Sequence, residues 1–189
     1  MDANITLLTN KKATEKEKLL CLSSIDPNCC DNEKLQIIPV LLELVGNKSR
    51  DLSNKSASIV SSFVENFNKF LIESLVKALI TGLSLHMNNK TILFSLDLLI
   101  ELTKRDNFRC VIPLLIEPLT NQMTSYAKEC VAKSKETFTI LYEKVDNKDI
   151  TPLVPHLIEA MMNPDKIAST IDSLASTTFV QNVDAETLA

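Results

Sequence analysis

Residue types that could perform chemistry are few in this sequence, and their spacing does not suit catalysis. The two histidines, His86 and His156, stand 70 residues apart, without acidic residues or cysteines at metal-ligand spacing. The phosphate-binding patterns GxxxxGKS/T and GxGxxG and the nucleophile pattern GxSxG do not occur. Serine and lysine neighbours such as Ser56 and Lys55 have no third group that would position a base. The sequence therefore predicts a non-enzyme with no metal site and no cofactor.

The cysteines also favour a passive role. No CxxC pair occurs, and the N-terminus has no secretory signal, so we expect a reducing compartment and a cytoplasmic protein. The adjacent Cys29 and Cys30 could be activated only at a helix N-terminus, and a buried or passive role is the preferred interpretation. We expect Cys110 and Cys130 to be small core residues. The five cysteines are Cys21, Cys29, Cys30, Cys110 and Cys130.

Basic residues are the remaining candidates for a functional site, and they can act only locally. The chain has 20 lysines and arginines against 24 aspartates and glutamates, a net charge of −4 and a pI near 5.3. A chain with this balance has no overall attraction to nucleic acid. Any contact with RNA would require a local basic patch.

The elements that would position such a patch come from an internal repeat. One heptapeptide pattern, mostly apolar with proline at its third position and glutamate at its seventh, occurs three times, and a degenerate copy has Ser74 in place of the proline. The copies are IIPVLLE at residues 37–43, IESLVKA at 72–78, VIPLLIE at 111–117 and LVPHLIE at 153–159. From one copy to the next, the distance is 35 residues from Pro39 to Ser74, 39 residues from Ser74 to Pro113, and 42 residues from Pro113 to Pro155. This uneven period is typical of helix-pair repeats of the HEAT and armadillo kind.

The composition agrees with an all-α fold. Hydrophobic residues make up 45% of the chain, while it has only 2 glycines and no tryptophan, so it lacks the turn residues that sheets need. Residues 70–85 are the most apolar stretch, but Glu73 and Lys77 interrupt it, which favours a buried helix over a membrane span. We predict an all-α, HEAT/armadillo-like α-solenoid of about four helix pairs, with an N-terminal capping helix and an unfinished fifth repeat.

The repeat steps divide the chain into two parts. Residues 1–33 are predicted to be an N-terminal cap, with a disordered leader as the alternative, and residues 34–189 are predicted to be one HEAT-repeat domain. The unfinished last repeat leads us to expect a piece of a larger protein. The repeats are expected at about residues 34–67, 69–104, 107–144, 149–176 and, in part, 184–189.

Apolar spacing and prolines predict the details of these pairs. Pro39, Pro113 and Pro155 are expected inside the first helix of their pairs, where an interior proline bends the helix. The inward faces of the last two pairs are expected to include Tyr126 and the isoleucines Ile167 and Ile171, which recur at helical spacing.

The turns between helix pairs carry the candidate site. In a helix-pair repeat protein these turns follow one another along one edge. Asp106, Asp146 and Asp149 share them, with Asp106 and Asp149 expected to act as helix caps. The sequence thus predicts a net basic edge for binding a partner, and the alternative is that these are ordinary solvated turn residues. The basic edge consists of Lys69, Lys104, Arg105, Arg109, Lys144 and Lys148.

The C-terminal half resembles a known family. The run VDNKDI at residues 145–150, the segment PHLI at 155–158, TTFV at 177–180 and DAETL at 184–188 occur in that order. They resemble the N-terminal HEAT region of fungal-type translation elongation factor 3, an ABC-type ATPase family. The resemblance is specific over about residues 107–189, and upstream it is one of period and pattern. A related TTFV-type passage occurs in the large ribosome-associated scaffold that activates the amino-acid-starvation kinase.

The resemblance implies a role in translation. That family joins its HEAT domain to a helical bundle, two ATPase cassettes and a chromodomain-like insertion, and it promotes release of deacylated tRNA from the ribosomal exit site. The cassettes are not in this sequence, so the resemblance implies a module that docks on the ribosome without hydrolysing ATP. The implied partners are ribosomal RNA, ribosomal proteins and other translation factors, without a membrane or a small-molecule substrate.

The sequence also allows two other functions. The chain could be a generic HEAT scaffold that binds a protein segment along its concave face, with a family likeness that is only ancestral. A catalytic protein is the third and least supported reading. Co-sedimentation with ribosomes would distinguish the first two functions.

Overall fold

The computed structural model describes residues 2–145 and 150–175, and these residues form helices and turns without a strand. They form two compact units, Met1–Leu98 (unit 1) and Leu99–Ala189 (unit 2). The predicted all-α fold of HEAT/armadillo-like helix pairs is confirmed. The α-helices are α1 (Asp2–Thr9), α2 (Glu15–Ser23), α3 (Asp31–Val45), α4 (Arg50–Glu65), α5 (Ile72–Ile80), α6 (Asn89–Leu102), α7 (Ile112–Met123), α8 (Lys128–Tyr142), α9 (Ile150–Met162) and α10 (Pro164–Ala175). Three short 3-10 helices lie between them, at Lys69–Leu71, Thr81–Leu83 and Asp106–Val111.

Unit 1 is built around the pair formed by α3 and α4. Helix α5 packs on α3, while α1 and α2 pack on each other and close the N-terminal side against α3 and α4. Two helices therefore occupy the residues for which the sequence indicated one short helix. Helix α2 begins at a capping box, in which the Glu17 amide donates to Thr14 Oγ1 at 3.3 Å and the Thr14 amide donates to Glu17 Oε2 at 2.7 Å. These hydrogen bonds from Thr14 lower the pKa of Glu17.

Unit 2 contains the pair α7 and α8 and the pair α9 and α10. Helix α7 contacts α8, α9 and α10, and α10 also contacts α8. In α8, the rings of Phe138 and Tyr142 stack one turn apart, with centroids 4.3 Å from each other. Both side chains are buried, and burial raises the pKa of Tyr142 far above its ordinary range. The stacked rings of Phe138 and Tyr142 are therefore part of the core of this unit.

The repeated heptapeptide places one core position in the same way in successive pairs. The residues two positions after the proline, or after Ser74, are Leu41, Val76 and Leu115, and each has 0% of its surface exposed. The equivalent Leu157 in α9 is 8% exposed. The repeat found in the sequence is therefore a repeat of core packing.

The prolines do not all occupy the predicted position. Pro39 and Pro155 lie inside α3 and α9 as predicted, but Pro113 lies in the first turn of α7. The segment before Pro113 is a separate 3-10 helix, so the prediction of one continuous helix with an interior Pro113 is wrong. The physical reason is that the first turn of a helix tolerates proline, because amides there have no partner within the helix.

Several predicted side-chain environments also need correction. Tyr126 is fully exposed because α8 begins only at Lys128, which leaves Tyr126 in the turn. Cys110 is exposed in a 3-10 helix. Because this helix has three residues per turn, Cys110 faces away from the core. Ile167 and Ile171 are 40% and 49% exposed, because α10 buries the face that carries Thr170 and Ser173. Cys130 is buried, as predicted.

One lysine is buried in unit 1. Lys34 in α3 is 4% exposed, and its Nζ lies 3.3 Å from Asp31 Oδ1 and donates to the carbonyl oxygen of Asn66 at 3.3 Å. Asn66 is the C-cap of α4, where the helix dipole favours a cation. The same ammonium lies 5.9 Å from the ring centroid of Phe63. Lys34 thus links the start of α3 to the end of α4.

The two glycines mark places where helices approach closely within unit 1. A Cβ atom at Gly46 would lie 2.8 Å from Thr91 Oγ1, and Thr91 donates a hydrogen bond to the Leu42 carbonyl at 3.0 Å. A Cβ atom at Gly82 would collide with Ser95 Oγ in α6. Both glycines are therefore required by packing rather than by an unusual backbone angle, since neither has a positive φ.

Candidate nucleic-acid interface

The turn between α6 and α7 carries three of the candidate basic residues. Its backbone is fixed by hydrogen bonds from the Arg105 amide to the Leu102 carbonyl (3.0 Å) and from the Phe108 amide to the Arg105 carbonyl (3.1 Å). Phe108 is 2% exposed and anchors the turn in the core. Lys104 is consequently exposed, while Arg105 and Arg109 are half-buried. The structure therefore brings these three cations together on one short, well-anchored segment.

Lys144 lies at the same end of unit 2. It is exposed in the turn that follows α8, where its amide donates to the Leu141 carbonyl at 3.1 Å and the next residue, Val145, is buried. Because α7 and α8 are packed neighbours joined by the short connection 124–127, they run antiparallel, and the C-terminus of α8 faces the N-terminus of α7. We call Lys104, Arg105, Arg109 and Lys144 the basic end of unit 2.

The two other candidates lie elsewhere. Lys69 is exposed in unit 1, as the first residue of the 3-10 helix Lys69–Leu71. Lys148 falls in residues 146–149, outside the described part of the chain. Asp146 and Asp149 lie there too, and the side chain of Asp106 is also outside the description. The continuous edge of six basic residues therefore stays a prediction.

The local charge balance differs from that of the whole chain. Residues 101–111 and 143–149 contain five basic residues and five carboxylates, which gives 5 − 5 = 0; the carboxylates are Glu101, Asp106, Glu143, Asp146 and Asp149. Lys104 forms an ion pair with Glu101, and both side chains are more than half exposed. An exposed pair of this kind contributes about 0–1 kcal/mol, so a polyanion can displace it. The chain as a whole has a net charge of −4.

Histidines, cysteines and carboxylates are the other side chains that could bind a metal ion. Within residues 2–145 and 150–175, no three His, Cys, Asp or Glu side chains are grouped so that they could hold a metal ion. His86 is exposed in a turn, and His156 is half-buried beside a cavity of about 100 Å³ that Glu117 and Glu159 also line. No helix in this part of the chain is long and apolar enough to cross a membrane.

The vicinal cysteines lie at the start of α3. Cys30 is the N-cap of this helix and makes no side-chain cap hydrogen bond. Burial raises the pKa of Cys29, and the negative charge of Glu33 adds to that effect. The environment of Cys29 therefore favours the neutral thiol.

One exposed feature was missed at the level of sequence. Phe70 is 83% exposed, and the ammonium of Lys69 lies 5.3 Å from the centroid of its ring. The sequence does not indicate this exposure, because Phe70 begins the apolar run at 70–85, which predicts a core helix. Aligning the repeats on Ser74 and Pro113 places Phe70 at the same position as Arg109, four residues earlier in each case. That alignment was the available signal that position 70 faces solvent.

Comparison with known proteins gives a consistent set of relatives, although no protein-family model matches the chain. The chain is 27% identical over 157 residues to elongation factor 3 of Gonapodya prolifera, which covers 82% of this chain and 14% of that protein. It is 30% identical over 158 residues to elongation factor 3 of Phytophthora infestans, covering 82% of this chain and 15% of that protein. Elongation factor 3A of Saccharomyces cerevisiae is 28% identical over 158 residues, with the same two coverages.

Two solved structures are similar to this chain, with TM-scores below 0.5. One is the crystal structure of an engineered protein, with a TM-score of 0.45, 14% identity, and coverage of 92% of this chain and 77% of that one. The other is a computationally designed armadillo repeat protein for modular peptide recognition, with a TM-score of 0.46, 12% identity, and coverages of 92% and 80%.

The match to the elongation factors is longer than the sequence motifs suggested. The motifs covered residues 107–189, whereas the aligned segments of 157 and 158 residues take in more than four-fifths of the chain. The chain spans about one-seventh of the length of these relatives. The resemblance is therefore confirmed: this chain is similar to the N-terminal HEAT-repeat region of elongation factor 3.

Proposed function

We propose that this chain is a non-catalytic HEAT-repeat module of an elongation factor 3-like protein, and that it docks on the ribosome in support of elongation and exit-site tRNA release. The observation that carries the proposal is the similarity to elongation factor 3 across 82% of the chain. The helix-pair fold adds support, because repeats of this kind present extended surfaces to large partners. Ribosomal RNA, ribosomal proteins and other translation factors are the proposed partners, in the cytoplasm.

The basic end of unit 2 is the proposed contact with ribosomal RNA. Lys104 and Lys144 are exposed, and Arg105 and Arg109 are half-buried on a turn that Phe108 fixes in the core. Cations in such a place gain affinity for RNA by releasing condensed counterions from phosphates, with little dependence on base sequence. Binding through this end does not require the whole module, whose net charge is −4, to be attracted to RNA.

Lys69 of unit 1 and Lys148 complete the proposed contact set. Lys69 is exposed on a between-pair turn, which is the same kind of turn as the one that bears Lys104. Their contribution follows from the repeat pattern, in which between-pair turns recur once in each helix pair.

Charge reversal of the turn between α6 and α7 tests the docking proposal. We expect the triple variant Lys104→Glu, Arg105→Glu and Arg109→Glu to lose most of its co-sedimentation with ribosomes at moderate salt. The slope of log affinity against log salt should become shallower by about 2 to 3, since each lost phosphate contact removes about 0.7 to 0.9. Circular dichroism should show unchanged helical content.

A matched control separates a specific edge from total charge. Lys11, Lys12 and Lys16 are exposed in unit 1, and reversing them changes the net charge by the same amount. This control should bind ribosomes with the parental salt slope. If the variant at residues 104, 105 and 109 binds as well as the parent chain, docking through the basic end is wrong, and a scaffold that binds a protein segment becomes the better reading.

A further inference from the structure

The aromatic ring of Phe70 is the most unusual exposed apolar group on a between-pair turn. It is 83% exposed, at the centre of the 3-10 helix Lys69–Leu71. Single exposed hydrophobic residues are common, so exposure alone decides nothing. What distinguishes Phe70 is that its neighbour Lys69 holds an ammonium 5.3 Å from the ring centroid. The ammonium lies close to one part of the ring, and the rest of the ring is exposed to solvent. The surface is therefore charged on one side and aromatic on the other.

The backbone of the turn that carries this ring is held by hydrogen bonds. Asn68 caps the 3-10 helix, and its Oδ1 accepts a hydrogen bond from the Phe70 amide at 3.0 Å. The Leu71 amide donates to the Asn68 carbonyl at 3.0 Å, and Phe67 on the preceding side is 6% exposed and fixed in the core. Because the backbone of the turn is already ordered, a ligand that stacks on the ring has to restrict only the side-chain torsions of Phe70. The backbone is therefore preorganised for a contact made by the side chain.

Charged and polar side chains flank Phe70. Lys69 lies beside the ring, the exposed Glu65 precedes the turn, and the carboxylate of Glu73 is paired with Lys77 at 2.6 Å. Asn66 and Asn68 are exposed amides on the same turn. An apolar pocket of a protein would match the ring but not the adjacent ammonium, whereas a nucleotide matches both, with its base on the ring and its phosphate near the lysine.

We infer that Phe70 is a stacking platform for an unpaired base of RNA, with Lys69 beside it as the phosphate-facing cation. This inference rests on the proposed ribosomal function and adds to it the class of RNA element recognised at unit 1. Phe70 supplies an interaction that salt does not screen, in contrast to the basic end of unit 2. Because every base has an aromatic face, the contact selects single-stranded over double-stranded RNA and not one base over another.

Tryptophan substitution provides a direct test, since the chain contains no tryptophan. Phe70→Trp places a single fluorophore at the proposed platform. We expect a short single-stranded oligouridylate to quench its emission in a saturable way at low salt, and the same strand annealed to oligoadenylate to quench it far less. Tyr126→Trp is the matched control, because Tyr126 is also an exposed aromatic residue on a turn. Absence of quenching at residue 70, or equal quenching at both positions, would overturn the inference.

Ribosome binding tests the same residue in its proposed context. Stacking of one base contributes about 1–3 kcal/mol, so Phe70→Ala should weaken co-sedimentation between about 5-fold and 150-fold. The salt slope should not change, because no phosphate contact is removed, and Phe70→Tyr should retain parental affinity. If Phe70→Leu restores binding as well as Phe70→Tyr does, the residue is an apolar anchor for a protein pocket and the base-stacking inference fails.

The two proposals fail in different ways. Loss of the platform alone leaves the salt-dependent binding of the parent chain and its sensitivity to charge reversal at residues 104, 105 and 109. Failure of the ribosomal function would instead appear as parental chain that does not co-sediment with ribosomes at all.

Discussion

Units 1 and 2 hold similar helix pairs together by different means. In unit 1, polar side chains reach carbonyl groups of neighbouring elements: Lys34 donates to Asn66, Thr91 donates to Leu42, and Ser53 donates to Val45. In the described part of unit 2, the centre of α8 is held by stacked aromatic rings, and the hydroxyls of Ser134 and Thr170 are buried without a hydrogen-bond partner there. A buried hydroxyl without a partner costs stability in either unit, and in unit 1 the hydroxyls of Ser56 and Ser95 have no partner within the described residues.

The repeated heptapeptide specifies the core residues, and the polar links between helices differ from one repeat to the next. Leu41 in unit 1 and Leu115 in unit 2 occupy one repeat position and are both fully buried. The residues that link the helices lie outside the repeated heptapeptide. Lys34, for example, lies five residues before Pro39 and is buried, whereas the residue five before Ser74 is the exposed Lys69 and the residue five before Pro113 is the buried Phe108.

The largest expected effects come from the shared core position. Leu115→Ala and Leu41→Ala should each lower the free energy of unfolding by about 2–5 kcal/mol, because both create cavities in fully buried sites. Leu157→Ala should lower it less, since Leu157 is 8% exposed and its neighbours Val154 and Ile158 on α9 are 42% and 49% exposed. Urea unfolding followed by circular dichroism measures all three. A loss below about 1 kcal/mol at Leu115, typical of surface substitutions, would show that the repeat register is misassigned.

A smaller effect is expected at the close approach in unit 1. Gly82→Ala adds a methyl group that collides with Ser95 Oγ and lies 3.2 Å from Leu42 Cδ1, so it should cost about 1–3 kcal/mol by overpacking. Ser95→Ala removes the colliding oxygen, which is buried and has no hydrogen-bond partner within the described residues. The double variant should therefore be more stable than Gly82→Ala alone. Strictly additive losses would mean that the two residues are not coupled.

Much of the fold could be predicted because the repeat combines two independent signals. Proline spacing marked the helix pairs, and apolar spacing marked the buried face, as at Leu41 and Leu115. The start of α7 could not be predicted, because Pro113 is compatible with both a helix interior and a first turn. Ile167 and Ile171 show the limit of apolar spacing: the hydrophobic stripe of α10 is visible in the sequence, but the face that α7 and α8 bury depends on tertiary contacts.

The candidate site was predictable only in part, for a related reason. Which basic residues fall on between-pair turns follows from the repeat, so Lys104, Arg105 and Arg109 were found together. The exposure of Phe70 did not follow, because a phenylalanine in an apolar run is usually buried. Only the replacement of a continuous helix by the 3-10 helix Lys69–Leu71 turns its ring outward.

A smaller change in the free energy of unfolding is expected when the polar contacts of Lys34 in unit 1 are removed. Lys34→Met keeps the length of the side chain and its packing near Phe63 but removes the ammonium. Two interactions are lost, at 3.3 Å to Asp31 Oδ1 and 3.3 Å to the Asn66 carbonyl, so we expect unfolding to become easier by about 1–2 kcal/mol. The gain in apolar burial offsets part of this loss, because a buried charge is costly to desolvate.

The exposed pair on α5 provides the control for that experiment. Lys77 lies 2.6 Å from Glu73, closer than Lys34 lies to Asp31, but its side chain is 58% exposed. Lys77→Met should therefore cost about 0.3–0.5 kcal/mol, because water screens the pair. Equal losses at both positions in urea titrations would show that burial does not strengthen the Lys34 link. A Lys34→Met protein at least as stable as the parent would show that desolvation of the ammonium outweighs both interactions.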